Sequence, residues 1–241
     1  MARWLSLPMF LAWTASSLIV PPTIMTTLPD DYVVVTTQPS LAPLNATTWS
    51  GKYPSTGRSY TAHVGIATNL RAISVELPPS GCTVHAPVSA SASHFGCKLA
   101  VNAGFFNFPP NASCDGDLIV NSSTVLWASN NSATFALTQN DSIAIGYMSP
   151  AAALSLNLRS AVSGKGWLVR NGASNVNRSR DLDPRSSFVT EKAPRTAVGV
   201  RADGAVLLLV IDGIESTKVG PDLFEMAEAS SACVVNSGIH A

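Results

Sequence analysis

Apolar and polar residues alternate along most of this chain in runs too short for helices. "YTAHVGIA" (60–67) and "AISVELP" (72–78) are rich in β-branched residues and bounded by turn formers, so both predict strands. "CKLAVNAGFFNF" (97–108) predicts a strand running into a glycine turn. "DLIVNSSTVLWA" and "ATFALTQNDSIAIGYM" predict hairpins closed by polar turns, and "GWLVRNG" a strand ending in a turn. The longest such pattern is "KAPRTAVGVRADGAVLLLVIDG" (192–213). Its apolar segments, Ala197–Val200 and Ala205–Ile211, flank the charged turn Arg201-Ala202-Asp203-Gly204. The second segment is apolar throughout, which predicts burial on both faces.

Helical periodicity is clear only in "GPDLFEMAEASSA". Pro221 suits the first helical position, Asp222 and Glu225 favour the positive N-terminal end, and Leu223, Met226 and Ala227 share a face. A second short helix is expected over Ser149–Leu154, beginning around its proline. Residues 18–58 show little period and read as an extended Pro/Thr/Ser-rich lead-in, with Tyr32–Val35 a short edge strand. The domain proper is expected over 59–241. The fold class that follows is α+β: a strand-rich single domain with a mixed sheet and few helices.

Composition changes the picture in one respect. Lys+Arg and Asp+Glu number 15 each in 241 residues, so net charge is zero and no basic stripe points to nucleic acid. Only 12% of residues are charged, about half the usual ~25%, and Ser, Thr and Asn supply the missing polarity. Asn45, Asn111, Asn121, Asn130, Asn140 and Asn177 each head an N-x-[ST] sequon. "MARWLSLPMFLAWTASS" reads as a signal peptide over 1–17, with Arg3 as its positive end and Ala15-Ser16-Ser17 for cleavage. Together these features predict a glycoprotein of the secretory pathway: Golgi-luminal, secreted, lysosomal or vacuolar. Cys82, Cys97, Cys114 and Cys233 include no C-x-x-C pair, so disulfides are expected rather than a zinc site, with all three connectivities open.

Several chemistries lack their motifs. There is no G-x-S-x-G, H-E-x-x-H, P-loop or G-x-G-x-x-G, and His63, His85, His94 and His240 are scattered and read as surface or core residues. Carboxylate chemistry and arginine remain. Arg195 enters a strand, where it either snorkels to solvent or offers a fork for a phosphate or carboxylate. Thr196 adds a hydroxyl donor. Asp212 ends the apolar strand at the rim of the core, where desolvation raises a carboxyl pKa and suits it to acid or base work. Gly213 either completes a plain Asp-Gly turn or lets a ligand approach the backbone.

"NAGFF", "CDGDLIV", "GWLVRNG", "PRTAVGV", "LLLVIDG" and "GPDLFEMAE" follow one another in the order and approximate spacing of the phosphodiester glycosidase domain family, which the chain resembles from Tyr60 to Asn236. The resemblance implies hydrolysis of a sugar 1-phosphodiester, removing N-acetylglucosamine from GlcNAc-α-phospho-mannose to expose mannose 6-phosphate, without a metal or organic cofactor. It implies a phosphorylated glycan as partner. It assigns Asn102 and Gly104 to the first loop of the site, Arg195 and Thr196 to its phosphate-facing part, and Asp212 and Gly213 to its floor. It also implies a Cys82–Cys114 disulfide, leaving Cys97 to Cys233 by default. Ile239-His240-Ala241 stands where the family's "NLDGGGS" loop begins, so the domain is expected to be C-terminally truncated. The expected strand before that loop should complete a central sheet. The alternative function is a non-catalytic glycan- or phosphosugar-binding secreted glycoprotein.

Overall fold

The computed structural model describes residues 29–36, 44–108, 110–127, 131–232, 234 and 236–240. The proposed signal peptide, Asn130 and Cys233 lie outside them. In chain order the elements begin with β1 (Asp31–Thr36), β2 (Asn45–Lys52), β3 (Ser59–Ala67), α1 (Val88–Phe95), β4 (Phe106–Asn107) and β5 (Ser113–Cys114). There follow β6 (Leu118–Val120), β7 (Ser123–Leu126), β8 (Thr134–Thr138), β9 (Ser142–Tyr147), α2 (Pro150–Ser155) and β10 (Leu158–Ser163). The chain continues with β11 (Trp167–Arg170), β12 (Ala173–Ser174), α3 (Ser187–Thr190), β13 (Arg195–Val200), β14 (Val206–Ile211), α4 (Leu223–Ser231) and β15 (Asn236–His240).

These strands build a six-stranded sheet, β1-β9-β8-β10-β6-β7, and a seven-stranded sheet, β12-β11-β15-β13-β14-β3-β2. The sheets pack face to face through Phe135, Leu137, Ile143 and Ile145 on one side and Val198, Val200 and Val206 on the other. The outer face of the seven-stranded sheet is covered by α4, with Leu223 and Met226 against Ala197, Leu209 and Ile211. The outer face of the six-stranded sheet receives Ala152 and Ala153 of α2. The alternation seen in the sequence is thus the alternation between these layers.

Both predicted hairpins form, as do the strand at "GWLVRNG" and the hairpin β13–β14, with Arg195 opposite Ile211 and Val200 opposite Val206. Other expectations are corrected. Every strand pairing among the described residues is antiparallel rather than mixed. The α4 crossover carries β15 past β14 to the far side of β13, so the two strands it joins are not neighbours. "AISVELP" is no strand. Its backbone leaves the sheet after β3, and Arg159 satisfies the carbonyls of Leu70 and Ile73 where a ladder would have done so. "CKLAV" is irregular too: Leu99 lies across the strand face at Gly65, where a Cβ would come within 2.1 Å of it. Pro221 precedes the helix instead of opening it. Asp222 is the N-cap of α4, its carboxylate accepting from the Glu225 amide while Glu225 accepts from the Asp222 amide. Two stretches of the expected lead-in, β1 and β2, are edge strands of the two sheets. The strand expected before the family loop is β15, inserted between β11 and β13.

Candidate active site at one rim of the seven-stranded sheet

Antiparallel order gathers the starts of β11 and β13 and the ends of β14 and β15 at one rim: Arg195 pairs with Ile211, and Thr196 with His240. The irregular segment after α1 reaches this rim. Its Asn102 is exposed, and the buried Thr196 hydroxyl donates to Asn102 Oδ1 over 2.6 Å. The bond orients the amide and leaves its NH2 to donate elsewhere. Gly104 leans on β10, where a Cβ would meet Val162 at 3.2 Å. The disulfide Cys82–Cys114 fastens the next turn, Cys114 facing Phe106 across β4–β5. Cys97 is an exposed free thiol, and Cys233, the partner expected for it by default, lies outside the described residues.

Arg195 occupies the opposite face from Thr196, as successive strand residues must. It is 8% exposed. Its Nη2 donates to the Phe188 carbonyl at 2.9 Å and to Glu191 Oε1 at 3.3 Å, and its guanidinium lies 4.9 Å from the Phe188 ring centre. Burial lowers its pKa from the ordinary arginine value, opposed by Glu191; an arginine nevertheless stays charged. One edge of the expected fork is therefore committed to α3. A second cation, Lys165, shares the same ring: its Nζ is 5.8 Å from the Phe188 centre and 5.1 Å from that of Phe105, the first aromatic after Gly104. Lys165 is exposed, on a turn fixed where Asp181 accepts from the Gly166 amide and the Ala133 amide. The sequence reading missed both Lys165 and Asp181. The signal was a lysine between two glycines immediately before a buried strand, which no spacing rule singles out.

Asp212 is more open than expected. Its side chain is 60% exposed, not desolvated at the core rim, and both its oxygens lie 3.0–3.1 Å from His63 Nε2. His63 in turn lines a groove of about 390 Å³ whose walls include Thr48, Val210, Leu99 and Val101. Gly213 does not open the backbone to a ligand. A Cβ there would fall 2.3 Å from the Val219 carbonyl and 2.6 Å from the Pro194 nitrogen, so the close approach is made by the chain's own backbone entering β13.

The rim thus brings together Asn102, Thr196, Arg195 and Lys165 around the "NAGFF" loop, with Asp212 and His63 on the neighbouring strands. A family model described as phosphodiester glycosidase matches residues 95–235. The chain belongs to the phosphodiester glycosidase family. It is 32% identical to the mouse N-acetylglucosamine-1-phosphodiester alpha-N-acetylglucosaminidase over 192 residues, covering 71% of this chain and 36% of that protein. The bovine relative of the same name is 32% identical over 174 residues, covering 66% and 33%. The chain therefore spans about a third of the length of these curated relatives. Among solved structures, the fold matches the zebrafish N-acetylglucosamine-1-phosphodiester alpha-N-acetylglucosaminidase catalytic domain auto-inhibited by pro-peptide. That match has a TM-score of 0.79 at 24% identity and covers 87% of this chain and 75% of that one. A hypothetical protein from Synechocystis matches with a TM-score of 0.54 at 14% identity, covering 83% and 58%.

The sequon residues Asn45, Asn111, Asn121, Asn140 and Asn177 are all exposed. Among the described residues no helix is long and apolar enough to cross a membrane, and no cluster of three His, Cys, Asp or Glu side chains could hold a metal.

Proposed function

We propose that this chain carries the site of a glycosidase that hydrolyses a sugar 1-phosphodiester, releasing N-acetylglucosamine from GlcNAc-α-phospho-mannose and exposing mannose 6-phosphate. The observation that carries the reading is the pair of cations on Phe188, beside the Asn102 loop. A phosphodiester offers an anion and an anomeric carbon that becomes positive in the transition state. Lys165 and Arg195 neutralise the phosphate as the bond from anomeric carbon to phosphate oxygen breaks. The departing phosphomonoester is a fair leaving group, so little general acid is needed. Water attacks the anomeric carbon and gives its proton to Asp212, while the Asn102 amide holds a sugar hydroxyl. The setting is the lumen of the secretory pathway, in keeping with the Cys82–Cys114 disulfide and the exposed sequons.

A second reading, a phosphosugar-binding module without turnover, is favoured by the commitment of Arg195 Nη2 to Phe188 and Glu191. Incubation with a GlcNAc-α-phospho-mannoside separates the two. Release of N-acetylglucosamine that disappears in Asp212→Asn supports the glycosidase. Thermal protection with the compound recovered intact supports the binding module, and neither effect would sink both.

A further inference from the structure

We infer that His63 is a positioning residue for Asp212, and that Thr48 fixes the tautomer in which it acts. The inference rests on the role proposed for Asp212. Three strands build the arrangement. Thr48 on β2 stands directly opposite His63 on β3, which stands opposite Val210 on β14, and Asp212 follows two residues later on the same face. Thr48 Oγ1 lies 3.4 Å from His63 Nδ1, and His63 Nε2 lies 3.0 and 3.1 Å from the two Asp212 oxygens.

A carboxylate only accepts, so Nε2 must carry the proton that binds it. In the neutral ring Nδ1 is then the acceptor, and the Thr48 hydroxyl, which can donate, is the group that faces it. The chain of bonds runs in one direction, from Thr48 through the imidazole to Asp212. A single N–H shared between both carboxylate oxygens fixes the plane and tilt of the carboxylate while leaving its remaining lone pairs open for a water.

An exposed His–Asp contact contributes little to stability, and the two side chains are 51% and 60% exposed. The contact lies where orientation counts more than energy. His63 is part of the groove wall, and β14 is pinned just beyond it, where the Asp212 amide donates to the Thr61 carbonyl at 3.2 Å. The backbone of Asp212 is therefore fixed by the sheet, and the side-chain torsions that remain are those His63 restrains. A misplaced base costs rate rather than substrate affinity.

The test uses the full chain, a GlcNAc-α-phospho-mannoside, and the variants His63→Ala, His63→Gln and Thr48→Val. All three change exposed side chains, and an unchanged melting temperature confirms folding. His63→Ala is expected to lower kcat roughly ten- to hundredfold with KM unchanged. His63→Gln, whose amide NH2 still donates to the carboxylate, should restore most of it. Full kcat in His63→Ala, or equal loss in Ala and Gln, overturns the positioning role. If the wild type shows no turnover, the reaction proposed above fails instead, and nitrogen-15 NMR of the histidine rings in alkaline buffer decides the inference. The Nε2–H tautomer for His63, lost to a mixture in Thr48→Val, supports it, and an Nδ1–H tautomer overturns it.

Discussion

Gly213 and Gly220 show how single residues set the rim. Both stand against the backbone of Ala193 and Pro194, where a Cβ at Gly220 would lie 2.2 Å from the Ala193 carbonyl. The obstructing atoms are backbone and cannot swing away. Gly213→Ala should therefore destabilise the protein by about 1–3 kcal/mol and displace the entry to β13, and denaturant unfolding measures the cost. Lys165 is the opposite case. It is exposed, lies on the Phe105 and Phe188 rings, and has no ion-pair partner among the described residues. Lys165→Ala is expected to raise KM for a phosphodiester severalfold with the melting temperature unchanged. An unaltered KM would remove Lys165 from the phosphate-binding role.

At the scale of elements, α4 is tied to the segment that precedes Arg195. Lys192 Nζ contacts Asp222 at 2.6 Å and Glu225 at 2.8 Å, while Arg58 and Thr56 each reach Glu225 at 2.7 Å. Glu225 is 1% exposed, and burial pushes its pKa up. The hydrogen bonds from Lys192 and Thr56 outweigh burial, and the net shift is downward from 4.5. A carboxyl depressed on folding contributes stability above its unfolded pKa and loses it as pH falls through the folded value. The melting temperature should accordingly decline as pH drops below 4.5, and Glu225→Gln should flatten that decline while lowering stability at neutral pH. Asp222→Ala removes the cap and one Lys192 contact, and should cost about 1 kcal/mol or somewhat more, read from chemical denaturation.

For the whole molecule, the two sheets and their three apolar clusters form a scaffold against which the irregular segment carrying Asn102 is held at one rim. The disulfide closes a span of 32 residues that contains Asn102, Gly104 and Phe105. Loop-closure entropy for that length is worth about 3–4 kcal/mol. Cys82→Ser should therefore lower the melting temperature and also raise KM, because the staple holds the loop that carries Asn102. A fall in stability with KM intact would confine the disulfide to a structural role. β15 lies inside the seven-stranded sheet, so both of its neighbours depend on it for pairing.

What could be read in the sequence was local. The hairpins β8–β9 and β13–β14 close through short turns that fix their own register, and α4 announces itself by its apolar face and acidic first turn. The family motifs gave Asn102, Arg195, Thr196 and Asp212 as site candidates before any contact was known. Tertiary structure decided what each one touches. "AISVELP" has strand composition, but the flanks of β3 are already taken by β2 and β14. Arg195 and Thr196 are neighbours in sequence, yet the pleat sends one to Phe188 and the other to Asn102. Lys165 and His63 enter the site only because β11 and β3 begin at the rim where β13 begins and β14 ends, across separations no turn spans. Local propensity fixes which residues form a strand, whereas the order of strands fixes which side chains share a rim, and that order is set by burying both sheets at once.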